Sequence, residues 1–397
     1  MTFKNQNTYN FVFIATIFLD SKEEYFSGGA EIHLKNICSL LKENNKVLVI
    51  QMSPTNQTKL IYKDGIEIFF VKSLNKFHYT ILVANILRSL NTPFVHFNYF
   101  GLDKFVYKKK NVTYSATFHG TAWDFPTSNL PKKYFKHQAI YSFGAKIKKR
   151  LMLRTQKKAL KKMDKILAVD TTLLLYAQQF FTNLRNKVEV VYNFVDTEKF
   201  KPSIENIKGD SFNILYPRNI SFARGVHLLI PIALELKNKK IPFILNMVGL
   251  GISEIGGDKY ENILREEIKI NNLEEHFNFL GRINHAEMPK VFSNTDMVLI
   301  PTFFSEGTSL SCLEAMASGK IVLATNIGGL NDLIIDGYNG FLSKPIAEEL
   351  ATKIIHIYKN FKNLDYINSN ALSVVSNCNS LPFWRIKISN YFNLHNE

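Results

Sequence analysis

The chain has 397 residues, 46% apolar and 13% aromatic, which excludes a disordered polypeptide and suggests two or three packed cores. Its formal charge of +15 is unevenly placed: residues 1–210 carry 32 Lys and Arg against 16 Asp and Glu, whereas 211–397 carry 17 against 18. Three distant cysteines (Cys38, Cys312, Cys378) with no Cys-x-x-Cys pair argue against a disulfide framework or a zinc site and fit a reducing compartment.

Apolar runs and helical periods alternate along the chain. Phe11–Phe18 reads as a buried strand, since the Phe11–Leu19 run lacks the small-residue cleavage site of a signal peptide. No run of about 18 apolar residues occurs, so no membrane-spanning helix is expected. A helix follows over Ala30–Leu41, then strands over Lys46–Met52 and Ile66–Val71, a helix over Tyr79–Leu90, and strands over Phe94–Phe97 and Val112–Phe118. The second half repeats the theme. Strands are expected at Phe212–Tyr216, Phe243–Val248, Phe277–Leu280, Met297–Ile300 and Ile321–Thr325, and helices at Val226–Leu236 and Ser309–Ala317. Such β-α repetition predicts two doubly wound α/β domains of mostly parallel sheet, joined near 193–210 with a linker at Pro202–Gly209. Leu381–Phe392, with Trp384, predicts a last helix packing back on the body. Ligands of such folds bind at the carboxyl ends of strands, and the cleft between facing domains is the expected site.

Several segments carry residues suited to chemistry. Gly28-Gly29 opens a helix after the first strand, where backbone can approach an anion, although paired glycines also simply make turns. Arg218 and Arg224 flank a strand end and a helix start. They suit a bidentate grip on a diphosphate, or are two solvated charges. Glu306-Gly-Thr-Ser-Leu-Ser-Cys-Leu-Glu314 is more specific, with two carboxylates eight positions apart around a loop-to-helix junction. Ser309 and Leu310 would offer free backbone N–H groups. Glu314 on a mostly apolar helix needs a partner such as a sugar or ribose hydroxyl, unless it is an ordinary exposed glutamate.

From these residues the chain resembles the retaining glycosyltransferases of family 4, which have the two-domain GT-B fold. The match runs over EGTSLSCLEAMASGKIVLATNIGGLNDLIIDGYNGFL (Glu306–Leu342), YPRNISFARGVHLLI (Tyr216–Ile230), VYNFVDTEKFKP, MVGLG (Met247–Gly251) and FLGRI (Phe279–Ile283), and more loosely over SGGAE and TFHG. The resemblance implies an N-terminal acceptor domain over 1–195, a nucleotide-sugar domain over 196–375, and a helix over 376–397 returning to the first. By its motif, Glu306 would bind donor-sugar hydroxyls and Glu314 the ribose. Arg218 and Arg224 would neutralise the leaving diphosphate. Ser309, Leu310, Gly249 and Gly28-Gly29 would complete the donor site, and His119 would lie near the reacting carbon. Departures are Arg224 where Lys is commoner, Asn331-Asp332 for Pro-Glu, and Phe194 for a hinge glycine. No Asp-x-Asp motif is found, so neither metal nor cofactor is expected, and fixed cationic donors would take a metal's place.

The basic excess has an address. Residues 104–165 hold 17 Lys and Arg against Asp124 and Asp164. Within it Lys148, Lys149, Arg150, Arg154, Lys157 and Lys158 interleave with a stripe of Ile147, Leu151, Thr155, Leu160 and Met163, after the aromatics Tyr134, Phe135, Tyr141 and Phe143. Such a helix can lie on an anionic membrane, at about 1 kcal/mol per basic residue, or pack on the sheet with solvated lysines. A polyanionic acceptor would be met by the same charge. No nucleic-acid recognition motif accompanies it, so nucleic acid is not an expected partner. The expected function is a cytoplasmic, peripherally membrane-bound transferase at the inner face of the membrane. It would move sugar from a UDP- or GDP-sugar to a saccharide or lipid-linked acceptor in cell-surface glycan synthesis. The alternative is a non-catalytic nucleotide-sugar- or membrane-binding protein on the same fold.

Overall fold

The computed structural model describes residues 8–26, 28–120, 143–180, 182–203, 211–251, 257–304 and 306–394. Contacts divide the chain into two compact units, one drawing on 1–123, 147–191 and 387–397, the other mainly on 192–386. The predicted linker from residue 204 to Gly209 lies outside the described residues, as do Tyr134, Phe135, Tyr141 and the side chains of Phe143 and Lys148.

The first unit is an eight-stranded sheet ordered β3-β4-β2-β1-β5-β6-β7-β8. Its strands are β1 (Phe11–Ala15), β2 (Val47–Met52), β3 (Lys59–Lys63), β4 (Ile66–Val71), β5 (Phe94–Phe97), β6 (Thr113–Phe118), β7 (Lys165–Ala168) and β8 (Val188–Val190). Strand β1 is buried at every residue, which is why FVFIA reads as a continuous apolar run rather than an alternation. The helices Gly29–Leu41, Lys76–Ser89, Phe143–Lys162 and Thr171–Phe180 supply the crossovers. Strands β3 and β4 pair antiparallel, closed by Asp64 and Gly65, both at positive φ as a tight hairpin demands. This edge strand escapes an apolar-run reading because lysines sit at both ends of KLIYK.

The second unit is a six-stranded, wholly parallel sheet ordered β11-β10-β9-β12-β13-β14. Its strands are β9 (Phe212–Pro217), β10 (Phe243–Val248), β11 (Phe277–Gly281), β12 (Met297–Ile300), β13 (Ile321–Thr325) and β14 (Phe341–Ser343). The helix expected from Val226 starts as a 3-10 turn over Val226–Leu228 and becomes α-helical at Leu229–Asn238. The last helix, Leu381–Tyr391, leaves the second unit with Trp384 buried against Phe194, ring centres 4.4 Å apart. Its end belongs to the first unit. There Phe392 packs on Phe94 at 5.2 Å and Tyr391 donates to Ser115 Oγ at 3.1 Å. The aromatic residue that departs from the family's hinge glycine is therefore a packing residue.

Candidate functional site

In the second sheet β9 is the first strand laid down. The chain then fills β10 and β11 on one side before crossing to β12 on the other. The point where order reverses is where a crevice opens outside the carboxyl ends of a doubly wound sheet. Arg218 follows β9 there and the Thr302–Glu306 loop follows β12. Arg218 Nη2 donates to Glu306 Oε2 at 2.5 Å and Nη1 to Ser309 Oγ at 2.8 Å. Arg224 Nη1 donates to the same Oε2, and Thr302 Oγ1 donates to it at 3.0 Å. Arg218 and Glu306 are each 8% exposed. Burial alone would raise the Glu306 carboxyl, but the two guanidiniums and the hydrogen bonds from Arg218 and Thr302 outweigh it and hold the group below the usual range.

Backbone packing locks the loop. Gly329 N donates to Glu306 O at 2.9 Å, and Gly328, at φ +53°, lies so close to the Glu306 carbonyl that no Cβ would fit. Gly249, at φ +132°, packs on the Arg218 backbone, where a Cβ would fall 2.5 Å from the carbonyl oxygen. Its glycine is thus explained by the placement of Arg218. On the other side Asn193 donates from N to Thr308 Oγ1 at 2.9 Å and from Nδ2 to Thr308 O at 2.7 Å, clamping the chain that enters this unit to the residue before Ser309. Leu310 begins the eight-residue helix Leu310–Ala317 with Ser309 at its N-cap, so both stand at a helix N-terminus beside Arg218.

Glu314, 8% exposed in that helix, has a protein partner that the sequence reading missed. His285 Nε2 lies 2.7 Å from Glu314 Oε1, and Lys199 Nζ lies 2.8 Å from His285 Nδ1. His285 sits four residues after β11, in a loop whose local sequence carries no signal for this pairing.

The first unit gathers a second polar cluster at the carboxyl ends of β1, β5 and β6. Gly28 is the N-cap of the Gly29–Leu41 helix, and Glu31, in its first turn and 6% exposed, accepts a 2.6 Å hydrogen bond from Tyr99 Oη. Burial raises the Glu31 carboxyl, partly countered by Tyr99. Asn98 Nδ2 faces Ala30 O at 3.4 Å, which turns its Oδ1 to His119 Nε2 at 3.2 Å and makes that nitrogen the donor. The His119 ring meets Tyr99 and His33 with centres 5.4 and 5.6 Å apart. Burial pushes His119 down to about 4, so its imidazole is neutral at physiological pH. Beneath it His96 is held by Ser115 and Thr117 and pushed down to about 3. Of this cluster the sequence reading named His119 and the glycines but not Glu31, Asn98 or Tyr99. A carboxylate in the first turn after a glycine pair was the available signal for Glu31.

The Phe143–Lys162 helix divides along its length. Ala159 and Leu160 are buried, with Met163 just beyond its end, whereas Ile147 and Leu151 are 45% and 54% exposed among exposed Arg150, Arg154, Lys157 and Lys158. Lys149 is half-buried. The expected stripe is thus buried in the first unit's core at Leu160 and Met163 and half-exposed at Ile147 and Leu151.

Comparison with known proteins gives the family of the chain and its fold class. Residues 197–374 match the model of glycosyl transferases group 1, and residues 27–199 match that of glycosyltransferase family 4. The chain belongs to glycosyltransferase family 4. It is 27% identical over 348 residues to an uncharacterised glycosyltransferase of Methanocaldococcus jannaschii, covering 84% of this chain and 86% of that one. A lipopolysaccharide 1,2-N-acetylglucosaminetransferase of Salmonella typhimurium is 27% identical over 145 residues, 36% of this chain and 38% of that one. Among solved structures, sucrose-phosphate synthase of Thermosynechococcus elongatus superposes with a TM-score of 0.78 at 17% identity, covering 97% and 98% of the chains. Anabaena HepE in complex with UDP and glucose gives 0.70 at 18% identity, covering 97% and 99%. These likenesses establish the GT-B class of two parallel-sheet α/β domains, and the family makes the protein a glycosyltransferase.

Proposed function

We propose that this glycosyltransferase moves a sugar from a UDP- or GDP-sugar to a saccharide or lipid-linked acceptor, with retention at the anomeric carbon, in cell-surface glycan synthesis. The observation that carries the reading is the Arg218–Arg224–Glu306 cluster at the sheet's switch point, with Arg218 and Glu306 buried and Arg224 half-buried. A diphosphate entering there competes with Glu306 for both guanidiniums, and the freed carboxylate turns to donor-sugar hydroxyls. Ser309 and Leu310 add helix N-terminal donors. Two cationic side chains supply the charge that a metal would otherwise bring, so the reading requires neither metal nor cofactor. The C1–phosphate bond breaks as the acceptor oxygen bonds C1 on the same face, and the acceptor hydroxyl's proton passes to the departing phosphate. Neutral His119 and the Glu31–Tyr99 pair suit sugar hydroxyls rather than phosphate. The Salmonella relative's activity supports the glycan context.

A thermal-shift screen with UDP-, GDP- and ADP-sugars selects the donor, and transfer assays with and without EDTA, with the product's anomer read by NMR, complete the test. An inverted product overturns retention. Nucleotide-sugar binding without turnover on any acceptor supports the non-catalytic alternative.

The same reading seats the enzyme at the cytoplasmic face of an anionic membrane. Its support is the uncovered Ile147 and Leu151 amid basic residues. Among the described residues no helix is long and apolar enough to cross a membrane. Flotation on anionic liposomes should be lost when Lys148, Lys149, Arg150, Arg154, Lys157 and Lys158 are neutralised. Equal flotation with a raised acceptor KM would transfer the role to a polyanionic acceptor.

A further inference from the structure

We propose that His285 is the positioning residue of the nucleotide site: fixed by Lys199, it donates to Glu314 and aims that carboxylate at the ribose hydroxyls. The inference rests on the assignment of Glu314 to the ribose.

The hydrogen positions follow from the donor inventory. An ammonium has no acceptor, so the 2.8 Å contact of Lys199 Nζ with His285 Nδ1 requires Nδ1 to accept. The proton of the neutral ring therefore sits on Nε2, which donates to Glu314 Oε1 at 2.7 Å. Were the imidazole charged, Nδ1–H would point at the ammonium. Lys199 thus holds the ring in one tautomer. The Phe200 ring, 5.3 Å from the imidazole centre, limits its swing. Lys199 and Phe200 follow the Asn193 clamp, His285 follows β11, and Glu314 lies on the helix after the Glu306 loop, so three separate chain segments meet at one carboxylate.

A neutral donor suits this task better than a cation. It satisfies one carboxylate oxygen, as a side chain 10% exposed requires, without cancelling the negative charge that accepts from a pair of hydroxyls. The His285 side chain itself is 47% exposed, so it stands at the mouth of the site and tolerates substitution.

The test measures donor KM and kcat, and titrates UDP, GDP and ADP against their 2′-deoxy forms. The wild-type chain should favour one ribose form. His285→Ala should raise donor KM roughly ten- to a hundredfold, the loss of one charged hydrogen bond, with kcat held and the ribose preference reduced toward one. His285→Gln, whose amide can donate to Glu314 while its carbonyl accepts from Lys199, should restore both. The inference is overturned if His285→Ala leaves KM and ribose preference unchanged while Glu314→Ala loses them, or if kcat falls with KM and Gln does not rescue. If Glu314→Ala also changes neither, or the wild type binds none of the three nucleotides, the ribose assignment itself fails and takes this inference with it.

Discussion

The carboxyl edges of the two sheets hold polar clusters of opposite electrical character. In the second unit Arg218 and Glu306 are buried with Arg224 half-buried beside them, and the two guanidiniums hold the Glu306 carboxyl below its usual range. In the first, His33, His96 and His119 are all driven toward their neutral forms by burial, and Glu31 is driven toward its protonated form. Bulk charge runs the other way, since the net-basic half of the sequence carries the neutral cluster. Net charge reports what the surface meets. The buried clusters report the chemistry each edge suits: the ionic one a dianionic group, the neutral one hydroxyls.

The strongest way to break this comparison is at Glu306. Glu306→Gln should lower kcat/KM at least about a hundredfold, as loss of a preorganised charged contact does, with circular dichroism unchanged. Unaltered turnover would remove Glu306 from the chemistry. Glu306→Ala is a poorer probe, because it strands Arg218 in the interior at a cost of about 3–5 kcal/mol.

His119 tests the neutral edge. His119→Ala should cost on the order of a hundredfold in kcat/KM. Because the imidazole is already deprotonated above about 4, the wild-type to variant ratio should stay flat from pH 5.5 to 8. A ratio that bends near pH 6.5 would show a solvated, titrating His119.

Stability should follow the same groups. A histidine depressed in the fold is protonated first in the unfolded chain, so stability falls as pH drops from the unfolded value of 6.5 toward 4. His227 in the second unit, pushed down to about 3, acts in the same sense, and Glu31 in the opposite one. Thermal melts between pH 7 and 5 should show a falling midpoint, with a shallower fall in His96→Gln. Parallel slopes would refute the burial of an uncharged His96.

The smallest effect is expected at Gly28. A Cβ there meets Glu31 Oε2, the far end of a flexible side chain, so Gly28→Ala should displace the carboxylate from Tyr99 and lower turnover a few-fold without moving the melting point.

Much of this was legible along the chain. Apolar runs such as FVFIA and MVLI identify buried parallel strands because both faces are covered, and the Glu306–Glu314 spacing marks the loop-to-helix junction. Strand β3 was hidden because a half-exposed edge hairpin carries lysines where a core strand carries valine. The Lys199–His285–Glu314 chain was hidden for a different reason. Its members lie 86 and 29 positions apart, and nothing in one loop's sequence records which side chain another loop brings to it.

Sequence by itself determined the β-α alternation, the family and the residues able to bear charge, because burial periodicity and motif spacing are local properties. Tertiary structure decided their pairings: Glu306 shared by two arginines, Glu314 held by His285, Phe194 packed on Trp384. It also decided protonation, since whether a buried histidine or carboxylate keeps its charge depends on desolvation and on partners that folding draws from distant segments.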